Sequence, residues 1–296
     1  MKRAVFSLCY WLGVTRFASW WNRKRVTILC YHGVTERPTR RPDDPFGLHV
    51  RLGRFLAQLE HLQQWYRVIS LREYLDAREE GVPLPDYSVV LTFDDGYRNF
   101  LTVAWPRLRE CAMPATMFLI TDRMPAADGV ARDRAWTPAD DETCLSWDEV
   151  EMLERSPAVD FGSHTCSHAK LTTLSAEQVQ HELRSSHDAV LSRLKGCEGL
   201  PLAYPYGDTS EAIVEQARSV GYRCGLTTEE GANDAEMDRF ALRRVLIGDN
   251  DATPAFAARV SGLTRWLKML WTQRPPVVPL QVPGSRPAPV EQDITP

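Results

Sequence analysis

The chain has 296 residues, 44% hydrophobic and 25% charged, a composition that suits a globular protein with a full core and excludes a disordered or fibrous one. A formal net charge of -4 gives no sign of wholesale nucleic-acid binding. Seven scattered cysteines without a C-x-x-C pair argue for free thiols in a reducing compartment rather than a disulfide framework.

The charge is uneven. Residues 1–25 carry Lys2, Arg3, Arg16, Arg23, Lys24 and Arg25 and no acid. The uncharged run from Ala4 to Val14 is too short to span a bilayer and lacks a small-x-small cleavage site. As one helix, Phe6, Tyr10, Val14, Phe17 and Trp20 or Trp21 share a stripe between basic ends. That pattern fits a helix lying in a membrane interface, and equally a helix packed on the rest of the chain or on another subunit; periodicity does not separate them. Without a cleavable signal, the chain is expected in the cytoplasm or on the cytoplasmic face of the inner membrane, with the periplasm as the alternative.

Further along, apolar β-branched runs alternate with helical patterns. Strands are expected at Val26–Tyr31, Val89–Phe93, Ala115–Ile120, Asp160–Ser163, Leu202–Tyr204, Cys224–Thr227 and Arg243–Ile247. Leu52, Phe55, Leu59 and Leu62 form one helical stripe, and Leu101, Ala104 and Leu108 another. Ser146-x-x-Glu149 and Ser175-x-x-Gln178 are capping boxes, the second opening a helix that ends near Lys195-Gly196. Thr209 or Ser210 caps a helix that stops at Gly221, and a helix around Phe256–Trp271 closes the fold. Residues 122–145 form a long polar insertion, a candidate lid, and the proline-rich residues 272–296 read as a disordered tail. Repeated βα units predict a single α/β domain, a distorted (β/α)7 barrel over residues 26–271.

In such a barrel the active site gathers at the C-terminal ends of the strands. Four of those ends carry reactive groups: His32; Asp94 and Asp95; His164, with His168 four residues on; and Tyr204-Pro205-Tyr206-Gly207. Adjacent carboxylates repel unless a metal divides their roles, one as ligand and the other as base. One Asp with two His is a three-ligand set that leaves a coordination position open, suited to Zn²⁺ and also acceptable to Co²⁺, Ni²⁺ or Fe²⁺. If residues 164–168 begin a helix, both imidazoles face one side. Taken singly, Asp-Asp-Gly is usually a turn, and His-x-x-x-His is as often a solvated helix face. His49, His61, His181 and His187 lack such company and read as surface or helix residues.

At these residues the chain resembles the polysaccharide deacetylase family, the NodB-homology or carbohydrate esterase 4 group. The resemblance rests on Thr92-Phe93-Asp94-Asp95-Gly96 with Tyr97, on the block from Ser163 to Leu171, on Pro114-Ala115-Thr116-x-Phe118, and on Leu242-Arg243-Arg244-Val245. It implies metal-dependent removal of acetyl from N-acetylated sugars in a poly- or oligosaccharide, with Asp94 as base and Asp95, His164 and His168 as ligands. It also implies Tyr206 N–H as oxyanion donor and Tyr97, Tyr204 and Pro205 at the substrate. The family's arginine before Pro-aromatic is absent, since Ala203 and Tyr204 stand there, and its late Leu-x-His acid is absent too. These departures resemble a motif-permuted branch that includes poly-N-acetylglucosamine deacetylases, which implies His32 of Tyr31-His32-Gly33-Val34 as the acid. Two alternatives stand: a deacetylase or deformylase of a lipid-linked sugar, favoured by the basic aromatic N-terminus, and a non-catalytic glycan-binding protein, favoured by the missing arginine.

Overall fold

A computed structural model describes residues 2–36, 47–125, 143–196 and 199–272. Among the described residues ten strands follow in chain order: β1 Thr27–Tyr31, β2 Val34–Thr35, β3 Val50–Arg51, β4 Arg67–Ile69, β5 Ser88–Phe93, β6 Ala115–Leu119, β7 Val159–Ser163, β8 Pro201–Ala203, β9 Cys224–Leu226 and β10 Val245–Leu246. The main sheet is parallel throughout, in the order β10-β1-β5-β6-β7-β8-β9, with β4 beside the start of β5. Every residue of β1, β5 and β6 is buried. Helices cover a parallel sheet on its faces, so such strands read as continuous apolar runs, and that is why they were visible in the sequence.

The sheet curls until its edges share one segment. Leu242 bridges Leu226 on β9, and three residues later Val245 pairs with Leu29 on β1. This is the predicted (β/α)7 barrel architecture, with closure carried by a two-residue strand and one bridge rather than by the five residues expected at Arg243–Ile247. The pleat sorts side chains between two apolar clusters. Ile28, Val90, Phe118, Leu226 and Leu242 belong to the inner one. Leu29, Tyr31, Leu91, Phe93, Met117 and Leu119 face the helices. Cys30, Thr92 and Asp94 continue the inner parity to the C-terminal ends of β1 and β5.

The helices confirm the capping signals. Ser146 and Ser175 each accept a hydrogen bond from the N3 amide, and Glu149 and Gln178 reach back to close both boxes. Ser210, not Thr209, caps the helix Glu211–Val220, and Gly221 ends it with φ 110°. The helix expected after Tyr97 is a wider π-helical turn, Phe100–Ala104, that leads into α-helix Trp105–Glu110; Pro106, without an N–H, marks the change. The expected closing helix is two, Thr253–Val260 and Leu263–Thr272, broken at Gly262 with φ 79°. The N-terminal stripe is likewise two helices, Lys2–Trp11 and Val14–Trp21, turned at Gly13 with φ 75°. Most of the insertion at 122–145 and nearly all of the tail at 272–296 lie outside the described residues.

Candidate active site

Asp94 and Asp95 leave the end of β5 in different directions because the chain turns sharply between them. Asp94 keeps the strand's inward parity. Asp95 has φ 72° and Gly96 φ 67°, two consecutive left-handed residues that swing the second carboxylate away. Arg98 anchors the turn through a buried ion pair to Glu149, 2.8 Å long. His164 follows β7. Residues 164–168 are not a helix, contrary to expectation: Thr165 and His168 both have φ 65°, and the His168 amide donates to Thr165 Oγ1. The loop still brings the two rings to 4.7 Å. Six non-glycine residues have left-handed φ among the described residues, and four of them (Asp95, Thr165, His168 and Tyr206) stand at this site. Strained backbone of this kind costs about 1–3 kcal/mol per residue and persists where the surroundings enforce it.

Asp95 Oδ1 lies 3.5 Å from His164 Nε2 and 3.5 Å from His168 Nε2. Two tetrahedral ligands each about 2.1 Å from one ion stand roughly 3.4 Å apart, so the spacing fits a shared divalent cation. Two further observations agree. Asp95 Oδ1 is buried with no hydrogen-bond donor. His164 Nδ1 lies 2.7 Å from the carbonyl of Ala203, which fixes the proton on Nδ1 and leaves the Nε2 lone pair pointing at Asp95. Burial, reinforced by the neighbouring His164, pushes the His168 pKa down to about 4, so this ring is a neutral ligand at neutral pH.

Asp94 is held quite differently. Arg244, wholly buried, grips both its oxygens: Nη1 to Oδ1 at 2.7 Å and Nη2 to Oδ2 at 2.8 Å. Its Nε donates to the Thr227 carbonyl at 2.9 Å, so the fork is set from behind. Cys30 Sγ lies 3.4 Å from Asp94 Oδ2. Burial alone would raise the Asp94 pKa, but the guanidinium and His164 outweigh it and hold the carboxyl well below the usual carboxylate range. His32 shares a cluster with Cys30 and Asp94 whose ligand atoms all lie within 4.8 Å of one another. Burial lowers its pKa, against the pull of both carboxylates.

Residues 81–225 match the family model described as polysaccharide deacetylase. That segment is just under half of the chain and holds Asp94, Asp95, His164 and His168, so the likeness to polysaccharide deacetylases falls on the site itself. A poly-beta-1,6-N-acetyl-D-glucosamine N-deacetylase of Escherichia coli (strain K12) is 25% identical over 269 residues, covering 81% of this chain but only 39% of that protein. One of the same name from Staphylococcus epidermidis is 26% identical over 204 residues, covering 64% of this chain and 65% of that one. The solved deacetylase PplD of Streptococcus pyogenes superposes with a TM-score of 0.68 at 24% identity, over 80% of this chain and 98% of its own. That likeness supports the fold.

Within this site the sequence missed the arginine that matters. It is absent from the Pro-aromatic segment, but Arg244 reaches the same kind of carboxylate from the other end of the chain. The signal was partial: of the two arginines between Leu242 and Val245, strand alternation turns one inward, and a buried cation needs an anion. Tyr204, expected at the substrate, is wholly buried with its hydroxyl donating to the Phe240 carbonyl, so its ring supports the fold. Pro205 is buried as well, whereas Tyr206 is 64% exposed and packs edge-on to His168 at 4.7 Å. Tyr97 is half-buried against His49. His49 is no surface residue: it is buried beside Gly33, where a Cβ would stand 2.1 Å from its ring, so only glycine fits there. His61 is buried too, between Tyr66 and Phe256.

Proposed function

We propose that this chain is a metal-dependent N-deacetylase acting on N-acetylated sugars of a poly- or oligosaccharide. The observation that carries the reading is the division of labour between adjacent carboxylates: Asp94 clamped by Arg244, Asp95 uncompensated beside the imidazoles of His164 and His168. Asp95, His164 and His168 would hold the ion, Zn²⁺ by preference of the donor set, though Co²⁺, Ni²⁺ and Fe²⁺ share it. A divalent cation there supplies Lewis-acid polarisation of the acetamide carbonyl.

The chain's own groups do the rest. Asp94, kept ionised by Arg244, accepts a proton from the attacking water. Held at so low a pKa it stores that proton poorly and passes it to His32 in the same cluster, which gives it to the amine nitrogen as the C–N bond breaks and acetate leaves. The Tyr206 N–H, at the rim beside His168, is placed to donate to the developing oxyanion, and Tyr97 lines the opening. The reading as a glycan-binding protein without catalysis drew on a missing arginine, and Arg244 removes that ground.

The test is acetate release from β-1,4- and β-1,6-linked N-acetylglucosamine oligomers, with and without chelator. Chelator-sensitive release is expected. No acetate from any oligomer after loading with each of the four metals would sink the proposal.

A further inference from the structure

The N-terminal helical pair has two unlike faces. Phe6, Cys9 and Ala18 turn inward onto Ala258, Leu263 and Trp266. The opposite face exposes Leu8, Trp11, Leu12, Phe17, Trp20 and Trp21, with Trp11 81% and Leu12 69% exposed. Large apolar side chains so closely grouped on a surface mark an interaction site. The helix Leu52–Trp65 borders the patch, and between them runs a groove of about 710 Å³ lined by Trp11, Arg16, Phe17, Trp20, Trp65 and Tyr66.

Charge says what covers it. Residues 1–25 bring six cations and no acid. Among the four whose side chains are described, Asp86 meets both Arg23 and Lys24, and Asp234 stands 3.9 Å from Arg25, so two carboxylates face four positive charges. Arg16 lies over the Trp65 ring at 4.4 Å, at the edge of the groove. A second copy meeting this face across a two-fold axis would set cation against cation. Aromatic and leucine side chains flanked by Arg16 and by Arg23, which lies over the Trp20 ring at 4.8 Å, match the boundary between headgroups and acyl chains. Among the described residues no helix is long and apolar enough to cross a membrane, so contact would be at the surface.

We propose that this face docks the protein on an anionic lipid leaflet. The fold adds a direction. Arg25, Tyr66 and Tyr87 lie just before the starts of β1, β4 and β5, so the patch is at the N-terminal end of the strands. His32, Asp94, Asp95 and His164 are at the other end. A six-residue strand is roughly 20 Å long, and the catalytic mouth therefore opens away from the bilayer, toward glycan held at a distance rather than a sugar at the headgroups. Docking is independent of the proposed activity; only its direction rests on that reading.

Cosedimentation of the full chain with vesicles of phosphatidylcholine, alone or mixed with phosphatidylglycerol, tests the docking. Binding is expected on the mixed vesicles, weakened by salt, about fivefold by Arg16→Gln and about tenfold by Trp11→Ser with Leu12→Ser. No binding, or binding that salt and both variants leave unchanged, overturns the proposal. A dimer dissociated by Trp11→Ser with Leu12→Ser, in a chain that ignores vesicles, assigns the face to a second copy and overturns it as well. Acetate release from a soluble oligomer tests the direction: unchanged turnover on saturating vesicles supports it, and blocked turnover overturns it. A chain that never releases acetate leaves the sedimentation result intact, so the two readings fail separately.

Discussion

Two carboxylates one residue apart live in opposite surroundings. Asp94 has a permanent counter-ion, since Arg244 binds both its oxygens from a wholly buried position. Asp95 has none; its Oδ1 is buried without a donor and faces two imidazole nitrogens at 3.5 Å. The folded chain compensates one charge itself and leaves the other for something it must bind. An unpaired buried carboxylate is costly, and the cost is tolerable where an ion relieves it.

The largest effect expected from breaking this contrast is at the base. Asp94→Asn should lower acetate release by about 10³-fold while keeping bound metal, whereas Asp95→Ala should lose the metal itself. Turnover and elemental analysis read both, and equal metal loss in the two variants would contradict the division of labour. Next comes the clamp. Arg244→Lys keeps the charge but not the fork, and a misplaced base should cost about a hundredfold in kcat. The sign of its pH effect follows from the balance at Asp94: burial raises the pKa and the guanidinium lowers it, so weakening the guanidinium moves the acid limb of the profile to higher pH.

A smaller effect is thermodynamic. Metal at about a hundred times its Kd should stabilise the wild type by about 2.7 kcal/mol and Asp95→Ala not at all, a difference visible in the melting temperature. Smallest should be Cys30→Ala, which removes the thiol beside Asp94 Oδ2 while Arg244 keeps its grip. A fall in kcat of only a few-fold, about 1 kcal/mol or less, is expected without loss of metal, and Cys30→Ser should restore it. A loss as large as that of Arg244→Lys would mean that the thiol, not the guanidinium, positions the base.

The legibility of the sequence followed the same division. Asp94, Asp95, His164 and His168 stood out because each motif directly follows a strand, the apolar Val89–Leu91 run in one case and Val159–Ser163 in the other. The barrel was legible because parallel strands buried on both faces have no polar alternation to confuse them. Helix breaks at Gly13 and Gly262 were not, since a stripe of aromatic residues continues across either glycine with little loss of periodicity. Strand β4 did not register because it has only two apolar residues, Val68 and Ile69, squeezed between two helices. Tyr204 was misplaced because a tyrosine at a strand end can point either way, and here its ring turns inward onto Gly225, where a Cβ would stand 2.4 Å from the hydroxyl. Arg244 sits 150 residues from the carboxylate it serves, and no local pattern connects them.

Arg244 occupies the seam where the sheet meets itself, between the Leu242 bridge to β9 and the Val245 pairing to β1. Competence and completion of the barrel are therefore one event. A chain with every earlier strand in place, all four Asp and His residues included, would still present two uncompensated neighbouring anions until its last short strand zipped home. The site in this design is whole only when the last stave shuts the cask.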